Sequence, residues 1–112
     1  MRLILRVGQN RIELTGRLAS APLVRTTPSG TPILNFEVDC GDGRESLILG
    51  VVMAGGDARE VGARLSAGTI VTVTGVLRAL AHGGSRRLGV DSVEVWASSI
   101  GEVLEGAGSL KS

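Results

Sequence analysis

Chemistry in this sequence of 112 residues rests on twelve basic and eleven acidic side chains, one histidine and one cysteine. Lys111 is the only lysine, so the cations are almost all arginine. Arg17, Arg25, Arg44, Arg78, Arg86 and Arg87 fall at strand ends, turns or loops. There a planar guanidinium can fork onto phosphate oxygens, although each taken singly is by default a solvated surface charge. His82 sits in a glycine-rich loop with no second histidine and no partner cysteine, so neither a zinc site nor a Cys-His nucleophile can be built. Glu37 and Asp39 share one strand face but have no acid–base partner. Gly83-Gly84-Ser85-Arg86 lies between two expected strands rather than opening a helix, which is the wrong context for a phosphate loop. Cys40, the sole cysteine, excludes an intramolecular disulfide and a cysteine cluster, and its parity makes it a small core hydrophobe. The residues point away from an enzyme, and no metal or cofactor is expected.

The elements that position these residues follow from periodicity. From Asn10, Ile12, Leu14, Gly16 and Leu18 alternate with Arg11, Glu13, Thr15 and Arg17, the period of a half-buried strand. Pro22 ends that ladder, and Thr27-Pro28-Ser29-Gly30-Thr31-Pro32 is dense in turn formers. A second strand turns Leu34, Phe36 and Val38 inward and Asn35, Glu37 and Asp39 outward. Cys40 to Arg44 is a tight turn with Asp-Gly chemistry. A third strand is expected from Ser46 to Met53, aliphatic enough for burial on both faces. Asp57 and Glu60 make a capping-box-like helix start, with Ala58, Val61 and Leu65 on one face and Gly68 past the end. Strand four is Ile70 to Leu77 and strand five Arg86 to Trp96, with a bulge expected near Asp91-Ser92. Three strands, a helix and two strands predict an all-β fold, a five-stranded OB-fold Greek-key barrel with one short helix between strands 3 and 4. Gly16, Gly50 and Gly75 suit its sharp bends. Arg2 to Val7 alternates too and is expected as an added edge strand. Ile100, Val103 and Leu104 have helical spacing, but a frayed terminus is the expectation there.

Near-zero net charge leaves no global field for a polyanion, so any such attraction is local. The apolar run at Met1 to Val7 is too short for a signal peptide or a membrane span, and a cytoplasmic protein is expected.

The run N-R-I-x-L-x-G-R-L, then A-P-L-x-R, T-x-x-G-x-P and N-F, resembles the first two strands of bacterial single-stranded DNA-binding proteins. It is most similar to their smaller relatives, the primosomal replication protein N family, over roughly Asn10 to Trp96. The resemblance implies a domain over 10–97, an extension over 1–9 and a tail over 98–112. It implies a homodimer through first strands, here Asn10, Ile12, Leu14 and Arg17. The position matching Arg25 is basic in the family, and the loop between strands four and five binds DNA there, which points to His82, Arg86 and Arg87. Gly108 to Ser112 carries no acidic, hydrophobic tip, as expected of the primosomal relatives. The implied function is a single-stranded DNA-binding accessory of the replication-restart primosome, partnering a restart helicase and a helicase-loading protein.

The aromatic platforms are the departure. The family's tryptophan near the start of strand three aligns with Ser46, Phe36 points inward, and Trp96 is expected at the very end of the last strand. Binding is therefore expected to be weak, electrostatic and salt-sensitive. The alternatives are a protein-interaction scaffold that has lost nucleic-acid binding and a short, tail-less single-stranded DNA-binding protein.

Overall fold

The computed structural model of the chain describes residues 1–6, 8–41, 43–79 and 93–103, with the side chains of residues 5 and 6 left out. The elements are β1 (Arg2–Arg6), β2 (Gln9–Leu18), β3 (Leu23–Thr26), β4 (Pro32–Asp39), β5 (Ile48–Ala54), α1 (Asp57–Arg64), β6 (Ile70–Ala79) and β7 (Val93–Glu102).

The strand order is β1-β2-β6-β7-β5-β4-β3, and β4 also pairs with β2 at Leu18↔Val38. That extra pairing closes β2, β6, β7, β5 and β4 into a ring, the OB-fold barrel, with β5 and β7 parallel and the other pairs antiparallel. Among the described strands, closure leaves β1 and β3 as the edges. The period-two residues fill the interior: Ile12, Leu14, Leu18, Leu34, Phe36, Val38, Val71, Val73 and Val95 are all buried. From α1, Ala58 and Val61 are buried, as is Leu65 just past its end.

β1 forms as the alternation predicts and pairs with β2 from Arg2↔Glu13 to Arg6↔Gln9. β3 was not anticipated as a strand; it is the chain beyond Pro22, paired with β4 from Leu23↔Asn35 to Thr26↔Pro32. The capping box is not used. Gly56 occupies the N-cap without a side-chain bond, and Glu60 instead approaches Arg64 at 3.8 Å.

The largest correction concerns the last strand. β7 continues to Glu102, so Trp96 lies inside it, and Ser98 to Glu102 are strand rather than tail. Long-range pairing with β6 overrides the helical spacing there: Ile100 pairs with Val73 and packs against the core. The register slips between Thr74 and Gly75, opposite Ser98, whose Oγ donates to the Thr74 carbonyl at 3.1 Å. The bulge expected near Asp91-Ser92 lies outside the described residues.

The glycines divide. A Cβ on Gly75 would overlap the Trp96 carbonyl oxygen, and one on Gly16 would sit 2.6 Å from the Asp39 carbonyl oxygen, so both mark close strand crossings. A Cβ on Gly50 would meet nothing within 4 Å, so no close strand crossing requires glycine there. Among the described residues no helix is long and apolar enough to cross a membrane.

Candidate nucleic-acid interface

One row of outward side chains crosses five of the strands. Ladder partners point to the same side of a sheet, so register assigns the face. Leu23, Asn35, Val52, Trp96 and Val76 form one outward row across β3, β4, β5, β7 and β6. Leu23 is 72% exposed and Val76 37%, whereas Val52 is 5% exposed despite facing outward. That covering explains the unbroken aliphatic run of β5.

Arg25 pairs with Ile33 on one side of this row, and Arg78 pairs with Glu94 on the other. The two arginines therefore both stand on the outside of the barrel, on opposite sides of this row, Arg25 at its β3 end and Arg78 at its β6 end. The Arg78 guanidinium carbon lies 4.5 Å from the Trp96 ring centroid, a cation–π contact. The indole N–H donates to Glu94 Oε1 at 2.9 Å, which fixes the ring's orientation. Beside the row lies a groove of about 310 Å³ lined by Leu23, Asn35, Glu37, Gly50, Val52 and Glu94.

Arg17 and Arg44 belong elsewhere. They line a second groove of about 520 Å³ with Asp39, Glu45 and Ser46, at the crossing of β2 and β4. Arg17 donates from Nη1 to the Gly68 carbonyl at 2.9 Å. The Asp39 carboxylate accepts from the backbone N–H groups of Gly41 at 3.0 Å and Leu47 at 3.2 Å. Those bonds, Gly41 first, hold its carboxyl below the usual carboxylate range, and its charge is spent on the β4–β5 turn. Cys40 is half-buried against the core, and burial pushes its thiol up. His82, Arg86 and Arg87 lie outside the described residues.

The residues expected at a dimer contact are engaged within the chain. Ile12 and Leu14 are buried in the barrel, and the Asn10 amide makes a two-way bond with the Leu77 backbone at 2.7 and 3.0 Å. β2 has β6 on one edge, while the other is occupied by β1 at Gln9–Glu13 and by β4 at Arg17–Leu18. Sequence reasoning missed Trp96, because its outward parity could be read only once β7 was known to run past it.

No curated protein sequence matches the chain. The model of the single-strand binding protein family matches residues 9–100, from the first residue of β2 into the second half of β7, and so takes in all five strands of the ring. With a closed OB-fold barrel over that stretch, the chain belongs to the single-strand binding protein family.

Proposed function

We propose that this protein binds single-stranded DNA across the outer face bounded by Arg25 and Arg78. The observation that carries the reading is the apolar row containing Trp96 between two exposed arginines, on a barrel of this family. OB-folds hold single strands through cations that track phosphates and side chains on which bases stack. Glu37 and Glu94 share the face and offset its positive charge, so binding is weak and strongly salt-dependent. From the family resemblance His82, Arg86 and Arg87 are further DNA contacts in this reading, and Arg17 and Arg44 make a secondary contact.

The cellular role follows from the N-R-I-E-L-T-G-R-L opening and its likeness to the primosomal replication protein N family. The protein acts in the cytoplasm as a non-enzymatic accessory of replication restart, bridging a restart helicase and a helicase-loading protein. It is a homodimer. Since both edges of β2 are largely taken, the free edge of β1 is where a second copy adds to the sheet, extending the expected first-strand contact.

Fluorescence anisotropy of a labelled oligo-dT of about thirty nucleotides, enough for two OB sites, tests the binding. Micromolar affinity that collapses as salt rises is expected. No binding at low salt refutes the reading and leaves the scaffold alternative. Sedimentation at tens of micromolar is expected to give a dimer, and a strict monomer refutes that part.

A further inference from the structure

Trp96 is the only tryptophan of the chain and half-buried, with Arg78 over its ring, Glu94 on its N–H and a groove beside it. Nothing in the packing of the barrel requires that arrangement. The core closes beneath it through Val95 and Val51, which are 0% and 1% exposed. A large aromatic ring on the outer surface, oriented by a carboxylate and covered by a movable cation, is suited to a ligand that is flat and anionic at its margin.

We propose that Trp96 is the base-stacking platform of the face, that Arg78 moves from the ring to the adjoining phosphate, and that the groove floored by Gly50 and Val52 takes the base's polar edge. This rests on the single-stranded DNA reading above and adds the site and the base preference to it. A guanidinium on a long, rotatable stem exchanges readily between an indole face and a phosphate, and it keeps the exposed ring covered until the strand arrives. Gly50 is what makes the groove: a side chain there would project into open space, between Glu37 and Glu94. Those two side chains are acceptors only when ionised and repel phosphate. They therefore admit the base edge and not the backbone, and favour bases that present an exocyclic amine. Cytosine donates from N4 to a carboxylate, whereas thymine offers a carbonyl at that position. The site thus prefers oligo-dC to oligo-dT.

The test uses the full chain and follows two signals in one titration: anisotropy of labelled oligo-dC or oligo-dT, and the emission of Trp96. Quenching that tracks the anisotropy isotherm is expected, with oligo-dC binding several-fold more tightly than oligo-dT. Trp96→Ala is expected to weaken binding roughly ten- to hundred-fold. Trp96→Phe, which keeps a stacking ring and guards against misfolding of the alanine variant, is expected to fall between. Glu37→Gln, which supplies a donor beside the acceptor, is expected to erase the dC preference. Anisotropy showing binding with unchanged emission, and both Trp96 variants binding like the parent, overturns the platform while sparing the DNA-binding reading. Quenching with equal affinity for both oligomers overturns the base preference. Absence of any anisotropy change with either oligomer overturns the DNA-binding reading and, with it, this inference.

Discussion

Alanine at both Arg25 and Arg78 is expected to lower affinity for single-stranded DNA by about two decades at about 50 mM salt and to leave little difference near 1 M. Each phosphate contact on a single strand contributes about 0.7 to the slope of log K against log salt. Two contacts thus account for about 1.4 of the slope, and extrapolating to about 50 mM gives nearly two decades. The change should be near-additive, because Arg25 and Arg78 stand on β3 and β6, at opposite ends of the outward row. Arg11→Ala is the control: Arg11 is exposed on β2, a strand outside the Trp96 row, and donates to Glu13 Oε2 at 2.6 Å. Anisotropy across a salt series checks it. A doubly substituted protein with an unchanged slope would mean that the strand lies elsewhere.

The second large effect concerns stability. Gly75→Ala is expected to cost about 3 kcal/mol or more, against the ~1–3 kcal/mol of ordinary overpacking, because the added methyl meets backbone and not a side chain that could turn aside. At about 4–8 °C per kcal/mol for a domain of this size, the melting temperature should fall by about 10–25 °C. Gly50→Ala is the matched control: its Cβ meets nothing within 4 Å, and a strand loses little conformational freedom with alanine in place of glycine. Its melting temperature should stay level or rise slightly. Thermal unfolding by circular dichroism distinguishes the two. A Gly75→Ala protein melting with its parent would refute the close β6–β7 crossing.

Glycine 75 was legible in the sequence as a bend, but not as the site where the last strand crosses. The same division runs through the arginines. Residue type and position put six of them on a par, the resemblance singled out Arg25, Arg86 and Arg87, and the fold separates Arg25 and Arg78 from Arg17 and Arg44. Asp39, counted as a charge opposing phosphate, turns out to spend its carboxylate on Gly41 and Leu47. Such assignments depend on which strands lie side by side, and alternation along one strand carries no information about its neighbours.

What the sequence determined by itself was therefore local or cumulative. Period-two alternation named Ile12, Leu14, Leu34, Phe36, Val38, Val71 and Val73 as core, since a pleated strand must send alternate side chains to one face. Helical spacing did the same for Ala58, Val61 and Leu65, and the order of elements sufficed for the barrel. Tertiary structure alone decided where β7 ends. Residues 98–102 have no strand pattern of their own, and they become strand because β6 offers them a ladder of backbone partners. That pairing moves Trp96 from the end of the last strand to its middle, on the β5–β7–β6 surface beneath Arg78.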